Sequence, residues 1–121
     1  MSESAREKIW GSKAAQIEHN LKALDPDLAT LILEVAYDDV FERSGLDLRT
    51  KELLAIAHLM SVGSESELKT HIYGAVQNGS SLLEIKELIL HAAMFIGFPR
   101  AVSAMKVLRE VEAKASTEQA L

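Results

Sequence analysis

The apolar residues of the chain recur every three or four positions, which is the spacing of one face of an α-helix. No segment alternates with the period of a β-strand. The pattern predicts an all-α fold of about six helices. Their expected extents are about 4–23, 26–41, 48–62, the segment between residues 64 and 78, the segment between 81 and 97, and about 100–114.

Residues that start or stop helices stand at these boundaries. Gly63 alone separates the third helix from the capping residue of the fourth, so these two helices are expected to form a central antiparallel hairpin. The predicted start signals are Asp25 followed by Pro26, Asp47, and the capping-box pairs Ser64–Glu67 and Ser81–Glu84.

The fifth predicted helix is apolar around almost its whole circumference, from Leu82 to Ile96. A helix that is apolar all round must be buried all round, and a small helical domain rarely surrounds one helix completely. We therefore expect another subunit to cover part of this helix in a homo-oligomer. The alternative is a central core helix in a monomer.

Length and composition indicate one globular domain, 1–121, with an N-terminal helix and a frayed tail at about 115–121. Hydrophobic residues make up 48% of the chain, which argues against disorder. The formal net charge is −5 and the basic residues are scattered, so no nucleic-acid partner is expected. With neither a long apolar run nor a secretory signal, we expect no membrane partner and a cytoplasmic location.

The chain has no cysteine, which excludes disulfides, thiolate metal sites, iron–sulfur clusters and cysteine nucleophiles. The glycines lack nucleotide-binding spacing, and the histidines form neither an HExxH nor a repeated ExxH motif. We therefore expect no nucleotide-binding loop and no metal site, although a metal site built from scattered ligands remains an alternative. The remaining candidates for chemistry are the four histidines and selected carboxylates.

Glu52 and His71 form the most informative pair of candidates. They lie eleven residues before and eight residues after Gly63, so the hairpin brings them within about one helical turn of the same level. Each shares a helix face with apolar residues, and burial there raises the pKa of a carboxyl group. Such a pair can transfer protons near neutral pH. The alternative is structural: a first-turn glutamate favoured by the helix dipole, and a boundary histidine with satisfied hydrogen bonds.

Other polar residues are weaker candidates. Arg49 precedes this glutamate, and its guanidinium suits a substrate carboxylate, although a solvated helix start also explains it. His91 follows Glu87 by four residues, so it is either a local ion pair or a second histidine at the active site or between subunits. His58 suits a packed core position, and His19 suits the polar face of the first helix.

Three stretches of the chain resemble the carboxymuconolactone decarboxylase family, which includes the alkylhydroperoxidase-D-like proteins. They are LDPDLATLILEVAYDDVF, GLDLRTKELLAIAHLMSVG and ELKTHIYGAVQNGSSLLEIKELILHAAMFIGFPRAVSAM, and they cover about residues 24–112. The most specific motifs are the run LDLRTKELL, the HxxGAxxNG that follows it and the closing GFP.

The resemblance also distinguishes two branches of this family. The peroxidase branch uses a glutamate, a CxxC pair and a histidine, which correspond here to Glu52, to Ser64 and Glu67, and to His71. Without both cysteines, thiol peroxidase activity is not expected. The chain is more similar to the cysteine-free gamma-carboxymuconolactone decarboxylase branch, whose members are all-helical, free of cofactors and typically hexameric as trimers of dimers.

The resemblance implies decarboxylation of a small anionic substrate, 4-carboxymuconolactone, to the beta-ketoadipate enol-lactone in aromatic catabolism. It implies that His71 acts as general acid or electrostatic stabiliser and that Glu52 orients it. Arg49 is the expected residue for a substrate carboxylate, and His91 is a further candidate. Two alternatives remain: a related enzyme acting on another small acid or lactone, and a non-catalytic helical oligomer or binding module.

Overall fold

The computed structural model describes residues 3–120, with side chains for residues 3–116. Helices joined by short connections make up this part of the chain, and no described residue lies in a β-strand, which confirms the all-α prediction. The helices are α1 (Ala5–Trp10), α2 (Ala14–Leu24), α3 (Pro26–Thr30), α4 (Leu48–Val62), α5 (Glu65–Gln77), α6 (Leu82–Ile96) and α7 (Phe98–Ala120), with a 3₁₀ turn at Gly11–Lys13 and a π-helical segment at Leu31–Phe41.

Several predicted helix boundaries are confirmed. The side chains of Asp25 and Asp47 cap α3 and α4, where each accepts a hydrogen bond from the first turn. Ser81 and Glu84 form the predicted capping box of α6. Gly63 ends α4 with φ 77° and ψ 28°, a left-handed conformation that a residue without Cβ adopts at no steric cost. The predicted hairpin of α4 and α5 follows directly from this turn.

Two predictions are wrong, one about the length of the first helix and one about the start of α5. The first helix is not continuous over 4–23, because Gly11 adopts φ 60° and the chain turns there between α1 and α2. Ser64 does precede α5, but its side chain makes no capping hydrogen bond, so the predicted capping box with Glu67 is absent. The start of α5 therefore lacks a side-chain cap that the start of α4 has.

The last helix is longer than the predicted 100–114. It begins at Phe98, because Pro99 lacks an N–H that would be unpaired in a first helical turn in any case. It continues to Ala120, since no helix-breaking residue follows the proline. The segment 115–120 thus extends α7 where the sequence predicts fraying, and Leu121 lies outside the described residues.

Buried apolar residues form two clusters, one aliphatic and one aromatic. The aliphatic cluster joins α4, α5, α6 and α7 and consists of Ile56, Met60, Leu68, Ile72, Ala75, Ile85, Ile89, Ala92, Ala104, Val107 and Leu108. The aromatic cluster joins α1, α3 and the π-helical segment and consists of Ile9, Trp10, Ala29, Leu33 and Tyr37. Together they define an aliphatic four-helix unit with an N-terminal aromatic unit.

Polar contacts hold α1 against the π-helical segment. The guanidinium of Arg6 donates to Asp38 at 2.7 Å and to Glu18 at 3.2 Å. The carboxylate of Glu42 accepts a hydrogen bond from the backbone N–H of Ala5. These contacts fix the N-terminal helix beside the middle of the fold.

Helix α6 is not buried all round within one chain. Its inner face belongs to the aliphatic cluster, but on its outer face Met94 is 67% exposed and Phe95 is 77% exposed. The apolar circumference noted in the sequence therefore includes a surface that a single chain leaves in contact with solvent. None of the described helices is long and apolar enough to cross a membrane.

Candidate active site

The hairpin of α4 and α5 brings Glu52 and His71 into direct contact, as their spacing from Gly63 predicts. Nδ1 of His71 lies 2.5 Å from Oε2 of Glu52, so a hydrogen bond joins the imidazole and the carboxyl group. Glu52 comes from the second turn of α4, and His71 comes from the middle of α5. Both residues lie inside helices, and a site built on helices is held more precisely than one built on loops.

Glu52 is a fully buried carboxyl group, with 0% of its surface exposed. Burial raises its pKa, and the hydrogen bond and charge of His71 oppose this rise. Its second oxygen, Oε1, has no hydrogen-bond partner among the described residues. A desolvated carboxyl group that is satisfied at one oxygen only holds its proton more readily than one in water, and this favours proton exchange with the imidazole.

His71 presents its two ring nitrogens to different surroundings. Nδ1 contacts Glu52, whereas Nε2 makes no hydrogen bond to any residue that the structure describes. The side chain retains 10% exposure. Because the carboxyl group occupies Nδ1, Nε2 is the nitrogen left to donate a proton to a small molecule or to accept one from it.

Gly74 allows α5 to approach the buried carboxyl group closely. A Cβ added at this glycine would lie 3.2 Å from Cδ of Glu52 and 2.9 Å from Cγ2 of Ile9. The latter contact is too short for any real Cβ, so only glycine fits between α1 and the carboxyl group. Gly74 and Ile9 thus form the wall that keeps water away from Glu52.

A row of aromatic rings leads from the aromatic cluster to the imidazole. Trp10 and Tyr37 have ring centroids 4.3 Å apart, and Tyr37 stacks on Phe41 at 4.7 Å. Phe41 in turn lies nearly parallel to the ring of His71, with centroids 6.4 Å apart. Burial and then the negative charge of Glu52 raise the pKa of Tyr37 far above its ordinary range, so this phenol stays protonated.

Lys51 fixes the end of the π-helical segment that carries this row. Its Nζ donates to the backbone carbonyl of Phe41 at 2.9 Å and also to that of Arg43. A cation near the last carbonyls of a helix is stabilising, because those groups lack intrahelical partners. Lys51 therefore holds Phe41 in position against the imidazole.

Arg49 lies one turn before Glu52, in the first turn of α4. Its guanidinium forms an ion pair with Glu84, the residue that also completes the capping box of α6. The Arg49 side chain is 38% exposed. The structure thus places a solvent-accessible cation near the start of α4 with an intramolecular carboxylate as its partner.

The other histidines lie away from the pair. His91 is exposed on α6, where its ring contacts that of Phe95 at 5.2 Å, so the single chain does not bring it to His71. His58 is exposed, and the prediction that it packs in the core is wrong: it lies on the solvent side of α4, opposite Ile56 and Met60. His19 is exposed on α2, as its polar surroundings predict.

Sequence reasoning missed three residues that shape the site. Phe41 and Tyr37, four residues apart on one helical face, pack towards the imidazole, and their spacing was the available signal. Gly74 stands inside a helix, where glycine often marks a close approach, and this signal was also present in the HxxGA motif.

The side chains that the structure describes contain no group of three or more His, Asp or Glu residues arranged to hold a metal ion. Ser64 and Glu67, which the family resemblance matches to the cysteines of the peroxidase branch, lie at the start of α5. Neither side chain can act as a redox-active thiol.

The chain thus combines an all-helical fold with a buried glutamate–histidine pair on its central hairpin. The sequence profile of the carboxymuconolactone decarboxylase family matches residues 26–110, and the chain belongs to this family. The resemblance noted in the sequence is thereby confirmed, and the chain fits the cysteine-free branch.

Two relatives have names that describe a reaction. The 4-carboxymuconolactone decarboxylase of Acinetobacter baylyi is 37% identical over 107 residues, which cover 88% of this chain and 80% of that protein. The nitrosuccinic acid decarboxylase of Metarhizium robertsii is 39% identical over 80 residues, which cover 66% of this chain and 56% of that protein. Both names describe loss of CO2 from a small acid, which supports the prediction of a carboxy-lyase.

A third relative, an uncharacterised 15.0 kDa protein of Paracoccus denitrificans, is 28% identical over 123 residues. Those residues cover 98% of this chain and 92% of that protein.

Proposed function

We propose that the protein catalyses the decarboxylation of 4-carboxymuconolactone to the beta-ketoadipate enol-lactone without a cofactor, as a cytoplasmic enzyme of aromatic catabolism. The observation that carries this proposal is the buried contact of 2.5 Å between Glu52 and His71. The similarity to the Acinetobacter decarboxylase over most of both chains supports the choice of substrate.

The chemistry requires charge dispersal and one proton. Cleavage of the bond between the ring carbon and its carboxylate releases CO2 and leaves the electron pair on that carbon, where conjugation with the lactone disperses the charge. The imidazolium of His71 donates the proton from Nε2 to the carbanion and is reprotonated from water. Glu52 holds Nδ1 and fixes the orientation of the ring before the transfer.

Activity measurements on purified protein test this mechanism. We expect CO2 release from 4-carboxymuconolactone with no added cofactor, and His71→Gln should lower kcat by about 10² to 10⁴-fold, the usual contribution of a positioned acid. His58→Gln is the matched control, because His58 is an exposed histidine on the neighbouring helix. Full activity of His71→Gln would refute the assignment.

Arg49 is the proposed ligand of a substrate carboxylate. Its exposed guanidinium can exchange Glu84 for a ligand, since an exposed ion pair contributes little stability. Arg49→Gln should raise KM with a smaller effect on kcat, because the interaction is made equally with substrate and transition state. Arg100→Gln, a change of an exposed arginine at the start of α7, should leave KM unchanged.

A second candidate reaction is decarboxylation of another small acid. The observation that favours it is the 39% identity to the nitrosuccinic acid decarboxylase. Parallel assays with 4-carboxymuconolactone and nitrosuccinate therefore decide between the two substrates. Inactivity on both would favour the non-catalytic helical oligomer, whereas turnover of a hydroperoxide would contradict the exclusion of peroxidase chemistry.

The proposal includes a homo-oligomer, expected from the family resemblance to be a hexamer built as a trimer of dimers. The exposed outer face of α6, with Leu90, Met94 and Phe95, is the proposed contact surface. His91 lies on this face, so it would contribute to a site only through a neighbouring subunit. Phe95→Glu should reduce the mass measured by light scattering, whereas Leu24→Glu, at another exposed apolar residue, should not.

A further inference from the structure

A cavity with polar and apolar walls lies apart from the glutamate–histidine pair. Its volume is about 670 Å³, within the range of roughly 300–1,000 Å³ that small-molecule sites occupy. The cavity is bounded by the 3₁₀ turn after α1, one face of α5 and the C-terminal half of α7. Its lining includes Trp10, Lys13, Lys69, Tyr73, Val111 and Lys114.

The cavity and the pair use different faces of α5. Thr70 and Tyr73 line the cavity, whereas His71 and Ile72 are buried on the side that faces α4. Neither Glu52 nor His71 lines the cavity. A ligand in the cavity would therefore be separated from the proposed proton-transfer pair by the helix itself.

Three lysines, Lys13, Lys69 and Lys114, line this cavity. Lys69 lies 3.8 Å from Glu110 of α7, which sets its ammonium group beside that helix. Lys114 stands one turn further along the same helix. The ammonium group of Lys13 lies 5.1 Å from the centre of the Tyr73 ring.

No described residue that lines the cavity is acidic, although the chain as a whole carries a formal net charge of −5. Below the lysines, the walls are apolar and aromatic, with Trp10, Ile17 and Val111, and Ser12 and Thr70 supply hydroxyl groups. The cavity thus offers lysine ammonium groups to an anionic group and apolar walls to the uncharged part of the same ligand. Long-range attraction to clustered lysines also concentrates anions near the mouth.

We propose that this cavity binds a small organic anion, a carboxylate with a cyclic or branched apolar body, at a site distinct from the catalytic pair. The carboxylate lies against Lys69 and Lys114, and the apolar body lies against Trp10 and Val111. The proposal does not depend on the decarboxylation proposed above, because none of its residues belongs to the pair.

The single tryptophan of the chain reports on this cavity directly. Trp10 lines it and is 3% exposed, so a ligand that contacts the indole changes the intrinsic fluorescence. Cyclohexanecarboxylate, cyclohexylmethanol and cyclohexylmethylamine are suitable probes, because they share one ring, differ in charge and do not absorb at the excitation wavelength. Saturable binding is expected for the carboxylate, weaker binding for the alcohol and the weakest for the amine.

Two lysine variants separate this site from non-specific charge. Lys114→Gln and Lys69→Gln should each weaken carboxylate binding about threefold to fivefold, as expected for partly exposed charges. Lys106→Gln, an exposed lysine of α7 outside the cavity, should bind like the wild type. His71→Gln should also bind like the wild type, which distinguishes this cavity from the catalytic pair.

Three results would overturn the proposal. The first is the absence of a saturable fluorescence change with the carboxylate, which is the result if another copy of the chain covers the cavity. The second is equal affinity for the acid, the alcohol and the amine. The third is a loss of affinity in Lys106→Gln as large as that in Lys114→Gln.

Discussion

The two faces of α5 place their polar groups in different environments, one buried and one exposed to solvent. On the buried face, His71 meets a fully buried carboxyl group at 2.5 Å, and Gly74 leaves no room for a methyl group. On the opposite face, Lys69 and Tyr73 border a cavity. Lys69 and Glu110 form a solvent-exposed ion pair there, with 3.8 Å between Nζ and Oε2. One helix thus carries the histidine of a tightly packed acid–base pair on one side and borders an open cavity on the other.

This difference indicates which face of α5 is suited to proton transfer and which is suited to ligand binding. Burial of Glu52 shifts its proton affinity, because desolvation disfavours the charged form. The exposed ion pair of Lys69 and Glu110 stays hydrated and is worth little to stability. Changes on the buried face should therefore alter stability and proton transfer, whereas changes on the cavity face should alter ligand binding alone.

The largest effect on stability should come from the buried face. Ile72 is fully buried in the aliphatic cluster, so Ile72→Ala removes packed methyl groups and leaves a void. We expect the free energy of unfolding to fall by about 2 to 5 kcal/mol. Val76, also on α5, is 41% exposed and lines the cavity, so Val76→Ala should cost less than about 0.5 kcal/mol. Equal losses in urea unfolding would contradict the contrast between the faces.

Gly74→Ala should affect stability and activity together. The added Cβ would collide with Cγ2 of Ile9 and press on Glu52, whereas the gain in helix propensity is only about 1 kcal/mol. Overpacking of this kind costs about 1 to 3 kcal/mol, so we expect a net loss of stability and a lower kcat. Gly45→Ala is the control, because no atom lies within 4 Å of its added Cβ. Wild-type kcat in Gly74→Ala would show that this close approach does not position the carboxyl group.

The pH dependence of stability should reveal the buried carboxyl group. Because the pKa of Glu52 is raised above its ordinary value of 4.5, the folded protein binds more protons than the unfolded chain between the two pKa values. The contribution of Glu52 to stability is therefore present at low pH and is lost as pH rises through that window, at up to about 1.4 kcal/mol per pH unit.

Glu52→Gln cannot titrate, so its free energy of unfolding should lack this decrease with pH. Denaturant unfolding at a series of pH values from 4 upward (about half-unit steps) measures the difference. Glu65→Gln, which changes an exposed carboxylate of α5, serves as the matched control. If both variants keep the wild-type slope, the decrease does not arise from Glu52.

The sequence predicted the hairpin and the pair because both follow from local signals. Asp47 and Gly63 fix the ends of α4, and the register from that turn brings Glu52 level with His71. The aromatic row was not predicted, since it joins residues of α1, the π-helical segment and α5 that are distant along the chain.

Two other features of the structure could not be predicted from local sequence signals. The break at Gly11 depends on how α1 packs beside α5, where a Cβ would collide with the side chain of Gln77. The cavity depends on the side-by-side arrangement of three separate elements, and its lysines are far apart in the sequence. Tertiary packing, and not periodicity, determines both.

The smallest effect concerns how the two helices of the hairpin begin. The sequence offers a capping residue to each, but only the Asp47 side chain accepts a hydrogen bond, from the backbone N–H of Thr50 at 2.8 Å. Asp47→Ala should therefore lower the free energy of unfolding by about 1 kcal/mol, and Ser64→Ala by no more than a few tenths. Thermal unfolding of both variants measures the difference. A loss in Ser64→Ala as large as that in Asp47→Ala would show that Ser64 and Glu67 form a capping box in solution. The first turn of α5, which leads into the cavity face, would then be stabilised like the first turn of α4.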